Sequence, residues 1–158
     1  MSAPPPERDA PGQPLRCAAA LIVDDDGRIF FQRRSPYRRL FPDTWDIVGG
    51  HVEPGETLLE TLYREVQEET GWQVARVLAE VGEYRYVGDD GIARVEVDYL
   101  VRVDGDLAHP VLEPGKHTEF RWLRADELDV LDESADVNDG LIRRIADNGF
   151  TVLRALGL

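Results

Sequence analysis

The chain has 158 residues, 42% of them hydrophobic and 31% charged, which suits one domain with a hydrophobic core and leaves too little for two. A formal net charge of -13 argues against a protein that draws its affinity from the phosphates of DNA or RNA, because that requires clustered Lys and Arg. The same charge repels a small anionic ligand unless metal cations or local arginines invert the potential at the site.

Residues 1–14, with Pro4, Pro5, Pro6, Pro11 and Pro14, read as a disordered or extended tail, and a single domain is expected over 15–158. The beginning of the chain lacks the basic segment and apolar stretch of a signal peptide, and no run approaches a membrane span. A cytoplasmic protein with no membrane partner is the expectation. The apolar run 16–23 reads as a buried strand that includes the single cysteine, Cys17, to which no catalytic role is given. Asp24, Asp25, Asp26 and Gly27 mark a turn, and 29–33 is expected to return as the hairpin partner.

After a loop holding Pro36 and Pro42, residues 45–48 read as a short strand ending in Gly49 and Gly50. Thr57 and Glu60 then form a capping-box pattern ahead of Leu58, Leu62 and Val66, whose spacing of four lays one apolar stripe along a helix that Gly71 should stop. Residues 81–87 and 93–103 flank the turn 88–91, and Val95, Val97, Tyr99, Val101 and Val103 alternate along the second strand of this long hairpin. A loop over 104–118 leads to a short strand at 119–123, and Leu141, Ile142, Ile145 and Ala146 mark a second helix. There is no internal repeat.

Glu65, Glu68 and Glu69 stand at i, i+3 and i+4 on the first helix, so their side chains share one face. Like charges at this spacing cost a few tenths of a kcal/mol per pair, and anions toward a helix C-terminus also oppose the macrodipole. Magnesium, or manganese in its place, is the natural compensation, being hard and selective for oxygen ligands. Arg64 shares the neutralising task. For an isolated Glu-x-x-Glu-Glu, a solvated acidic helix face is the ordinary reading.

The residues ahead of the helix change that. From Gly50 to Trp72 the sequence runs Gly-His-Val-Glu-Pro-Gly-Glu-Thr-Leu-Leu-Glu-Thr-Leu-Tyr-Arg-Glu-Val-Gln-Glu-Glu-Thr-Gly-Trp. This resembles the Nudix box, G-x5-E-x7-R-E-U-x-E-E-x-G-U with U apolar, of the MutT-like Nudix hydrolases. Every fixed identity is present; Trp72 takes a position more often aliphatic. At about 7% per residue type, such a match arises by chance roughly once per hundred million starting points.

The resemblance implies an α/β fold, a mixed β-sheet sandwiched between α-helices. It further implies that Glu65, Glu68 and Glu69 hold the metal, with the Gly49 carbonyl as a further ligand, while Glu56 and Arg64 support that face by a mutual contact. The reaction would be attack of a metal-polarised water on phosphorus in a diphosphate bond, with Glu65 the preferred base. Glu119 looks like the family's distal metal-binding glutamate, Glu113 is the fallback, and a solvent-facing Glu119 is the plain alternative. Among Arg33, Arg34, Arg38 and Arg39, the basic patch upstream of the box, Arg34 is the first choice for substrate phosphates and Arg33 the second, with Trp45 among the aromatics available for stacking. His51 and His117 lack metal-like spacing and are left off the site.

The expected partner is a small nucleotide-like diphosphate. Homodimerisation is common among similar proteins, and the long hairpin could supply an interface. Two other readings stand beside the hydrolase. A nucleotide sensor on the same fold would usually lose box carboxylates, and none is lost here. A prenyl diphosphate isomerase would need a proton-donating cysteine facing the metal helix, so it depends on where Cys17 points.

Overall fold

The computed structural model describes residues 13–158, so the tail expected over 1–14 lies outside it apart from Gln13 and Pro14. Seven strands and two α-helices follow in the order β1 Leu15–Ile22, β2 Ile29–Arg34, β3 Trp45–Asp46, β4 Val48–His51, α1 Leu58–Thr70, β5 Gln73–Val87, β6 Ala93–Asp104, β7 His117–Leu123 and α2 Leu141–Ala155, with a 3-10 turn at Leu128–Ser134 before α2. Four strands form one sheet in the order β4-β1-β6-β5, and three form a second in the order β3-β2-β7. β1 runs parallel to β6 and antiparallel to β4.

β1 explains why its sequence is apolar throughout rather than alternating: both of its faces are covered. Ala19, Leu21 and Val23 pack with Leu100 and the α2 residues Ile142, Ile145, Ala146 and Phe150. Ala18, Ala20 and Ile22 pack on the other side with Phe30, Val48 and the α1 residues Leu62 and Val66. The sheets thus lie between α1 and α2. Leu62 and Val66 are fully buried, each worth about 1.5–3 kcal/mol relative to exposure, which fixes the rotation of α1 and hence the direction of its carboxylates. Thr57 caps α1 with the reciprocal Glu60 contact, and Gly71 ends it at φ 78 in the left-handed region.

Three expectations change. The hairpin between 16–23 and 29–33 reduces to one bridge, Val23 to Ile29, because β4 and β6 already occupy both edges of β1 and β2 goes to the second sheet. The strand expected at 45–48 is two short strands in different sheets, with the chain crossing at Ile47. β5 begins at Gln73, well before 81, and its register shifts three times against β6, between Val74 and Arg76, Val77 and Ala79, and Glu80 and Gly82. Such bulges interrupt the period-2 pattern by which a strand is read. Among the described residues no helix is long and apolar enough to cross a membrane.

Candidate active site

Arg64 organises the site. Its Nε donates to Glu56 Oε2 at 2.8 Å, Nη2 to Glu56 Oε1 at 3.0 Å and to the His51 carbonyl at 3.0 Å, and Nη1 to Glu65 Oε1 at 2.7 Å and Glu68 Oε2 at 3.2 Å. The loop before the helix is locked in place, since Glu56 Oε1 also accepts from the Glu53 amide at 2.9 Å and from Thr61 Oγ1 at 2.8 Å. The Arg64 hydrogen bonds hold the Glu56 carboxyl down at about 2, and Glu56 in turn raises Arg64.

The helix carboxylates occupy different environments. Glu69 is buried and its Oε2 accepts from the Gly49 amide at 2.8 Å; burial, reinforced by Glu65 and Asp46, raises its carboxyl well above the usual range. Burial also pushes Glu65 up to about 7, against the pull of Arg64. Glu68 lies half in solvent. Gly50 packs directly on the Glu65 carboxylate, so closely that a Cβ there would collide with it. The donor set fits a hard divalent cation: crowded carboxylate oxygens, among them those of Glu69, whose burial disfavours an uncompensated charge. Among the described residues no three such side chains are drawn into a closed ligand shell, and Arg64 occupies part of the carboxylate surface.

These residues line one end of a cavity of about 430 Å³. Gly49, Gly50, Glu65, Glu68 and Glu69 stand there with Arg34, Arg38, Glu113 and Lys116, and Cys17, Phe41, Asp46, Tyr86, Arg94 and Glu96 complete the lining. Arg34 lines the cavity, its Nε donating to the Leu40 carbonyl at 2.9 Å and its Nη1 standing 3.5 Å from Asp46 Oδ2. Arg38 lines the same cavity and makes no ion pair among the described residues; burial, and then Arg34, lower its pKa. Two facing guanidiniums would be relieved by an anion.

Three candidates fall elsewhere. Arg33 pairs with Asp43 at 3.1 Å and Glu119 at 3.2 Å, and none of these three lines the cavity. Glu119 is opposite Arg33 in the β2–β7 register, on the strand face turned away from α1, so the fallback Glu113 is the distal carboxylate that reaches the cavity. Trp45 is buried in the α2 core, stacked under Arg33 and Arg121, and borders an adjoining pocket of about 70 Å³ that shares Phe41, Asp46, Tyr86 and Glu96 with the cavity.

The β6 contribution to the cavity has no clear signal in the sequence. Arg94, Glu96 and Asp98 occupy alternate positions of β6, on the face opposite Val95, Val97 and Tyr99, and Arg94 and Asp98 are buried. Burial raises both Glu96 and Asp98, and Tyr86 donates to Glu96 at 3.2 Å. The β6 charges alternate with valines, which looks the same as a solvated strand face. Cys17 is buried, as expected, yet it lines this cavity with the carboxylate helix. Burial and then Glu96 push its thiol up to about 12, so it is protonated at neutral pH.

A model of the NUDIX domain matches residues 13–145. The chain belongs to the Nudix family. It is 32% identical over 123 residues to an isopentenyl-diphosphate Delta-isomerase of Nocardia farcinica, covering 75% of this chain and 68% of that protein. It is 31% identical over 123 residues to the nucleoside triphosphatase NudI of Escherichia coli K12, covering 72% and 84% respectively. Among solved structures it is similar to a MutT NUDIX hydrolase from Burkholderia pseudomallei, with a TM-score of 0.64 and 28% identity over 73% of this chain and 87% of that one. With its complete box and MutT and NudI relatives, the chain is a Nudix hydrolase. Proteins of this group generally use divalent metal ions and act on small nucleotide-like substrates.

Proposed function

We propose that this Nudix hydrolase cleaves a diphosphate bond in a nucleoside triphosphate, or in a nucleoside diphosphate linked to another group, with magnesium or manganese as its cation. The observation that carries this reading is the intact Arg64-centred carboxylate cluster lining one cavity with Arg34 and Arg38. Glu65, Glu68 and Glu69 would hold the cation, with the Gly49 carbonyl and Glu113 as further oxygen donors. When bound, the cation supplies charge neutralisation of the phosphates and polarisation of a water.

The chain's own residues do the rest. Arg34 and Arg38 hold the phosphates against the acidic helix, offsetting the repulsion that the net charge would impose. Glu65 takes the water's proton as its oxygen bonds to phosphorus and the bridging P–O bond breaks, releasing one phosphorylated fragment toward the arginines. Glu56 fixes Arg64, and Arg64 fixes Glu65 and Glu68. A phosphate-release assay over nucleoside triphosphates, nucleotide sugars, ADP-ribose and dinucleoside polyphosphates, with and without magnesium, tests the reading. Cation-dependent turnover lost in Glu69→Gln supports it; tight nucleotide binding without turnover would replace it with a sensor.

A second reading rests on Cys17. Two isomerase relatives, 32% and 34% identical, and a protonated thiol in the same cavity as Tyr86 and Glu96 favour isomerisation of a prenyl diphosphate. Solvent-deuterium incorporation into isopentenyl diphosphate, abolished in Cys17→Ala, would establish it. No incorporation leaves hydrolysis as the activity.

A further inference from the structure

Glu69 is approached from behind by two buried polar side chains that neither the box nor the reaction above uses. Gln32 on β2 is fully buried, and its Nε2 stands 3.4 Å from Glu69 Oε1. His117, the first residue of β7, has a side chain only 1% exposed, and its Nε2 stands 3.8 Å from the same oxygen. Gln32 Oε1 and both His117 ring nitrogens have no other partner, an unusual concentration of unsatisfied buried polar atoms around one carboxylate.

His117 reaches this position through a bulge. β2 and β7 pair Gln32 with Phe120 and Arg33 with Glu119, and then the register shifts so that Arg34 faces His117. Regular pairing would set Thr118 opposite Arg34 and turn His117 to the outer face with Glu119. The extra residue reverses that parity: Thr118 is exposed and His117 is buried. Bulges placed beside a site commonly re-aim one side chain in this way.

We infer that Gln32 and His117 are positioning residues for Glu69. The Gly49 amide fixes Glu69 Oε2, and Gln32 and His117 are the two groups within reach of Oε1, so the carboxylate that points at the cation site is oriented from three directions. A contact of 3.8 Å is too long for a hydrogen bond, and a carboxylate displacement of roughly 1 Å closes it. A histidine ring carries at least one N–H in either tautomer, available to aim at the oxygen. Groups that orient ligating carboxylates typically affect metal affinity 10- to 100-fold. The inference rests on reading Glu69 as a cation ligand.

The test is direct manganese binding to the full chain without substrate, followed by electron paramagnetic resonance, on Gln32→Met, His117→Leu, the donor-retaining His117→Gln, and Glu69→Gln. Gln32→Met and His117→Leu should each weaken manganese binding about 10-fold, with His117→Gln recovering most of the loss. The metal concentration giving half-maximal turnover should rise in parallel, while KM for substrate at saturating metal stays unchanged. Wild-type affinity in Gln32→Met and His117→Leu, with loss in Glu69→Gln, would reduce these residues to packing and overturn the inference alone. Wild-type affinity in Glu69→Gln as well would overturn the ligand role of Glu69 and the inference with it.

Discussion

Arg64 grips Glu56 with a two-pronged contact, Nε to Oε2 at 2.8 Å and Nη2 to Oε1 at 3.0 Å, tying the loop before α1 to the middle of the helix. Glu56→Gln keeps the shape and removes the charge. Freed from this contact, the guanidinium keeps the His51 carbonyl and the acidic neighbours Glu65, Glu68 and Glu53. The variant should lose about 1.5–3 kcal/mol of stability, the usual size of a charged hydrogen bond, and bind divalent cations at least several-fold more weakly. The Glu56 carboxyl, held at about 2, stabilises the fold above its ordinary 4.5, and that contribution disappears as pH falls toward 2. Thermal denaturation and calorimetric cation titration report both effects; unchanged cation affinity would mean that the contact only staples the loop.

Glu65 and Glu69 carry the opposite dependence. Burial raises Glu65 to about 7 and Glu69 well above its usual value, so both bind protons more tightly in the folded state than in the unfolded one. Their effect on stability is most favourable below the ordinary 4.5 and worsens as pH climbs through 7. In chelator, the melting temperature should therefore decline across that window, and added magnesium should raise it more at pH about 8 than at about 5. A magnesium-induced shift that is the same at both pH values would contradict this picture.

The box and its helix are legible in the sequence because what builds them is local: Thr57 and Glu60 cap, Leu62 and Val66 face the sheet, Gly71 stops. The positions of Glu119, Arg33 and Trp45 are not legible, because they depend on which face of β2, β3 and β7 is turned toward α1. That is set by pairing between strands far apart in sequence, such as Arg33 with Glu119. The bulge that buries His117 has no local signature either, and neither does the burial of Glu96 and Asp98, whose alternation with valines would serve an exposed strand equally well. Charge at a spacing can be read; the side of the sheet on which it ends cannot.

Arg38 and Arg33 make a contrasting pair for substrate binding. Arg38 lines the cavity with no ion pair among the described residues, whereas Arg33 is bound to Asp43 and Glu119 outside it. Arg38→Ala should raise KM for a phosphorylated substrate about 10-fold, the loss of roughly one charged hydrogen bond, with a smaller change in kcat and little change in stability. Arg33→Ala should leave KM at the wild-type value. Steady-state kinetics on the two variants decides the matter, and equal effects would remove the cavity wall from substrate recognition.

Gly50 offers a way to disturb one carboxylate without touching it. A Cβ at this position would overlap the Glu65 carboxyl group and meets no backbone atom among its three nearest contacts, so the flexible end of Glu65 yields rather than the fold. Gly50→Ala should keep its melting temperature within a few degrees of wild type, since the mobile end of one side chain yields and the backbone does not. Turnover should fall by about 100-fold or more, because a reacting group moved by about 1 Å loses its alignment. The neighbouring Gly49 provides the contrast: its Cβ would strike the Ala18 carbonyl and Ala19 on β1, so Gly49→Ala should be limited by folding. Circular dichroism melts beside kinetics separate the two, and a Gly50→Ala enzyme with full turnover would show that Glu65 need not occupy its observed position for catalysis.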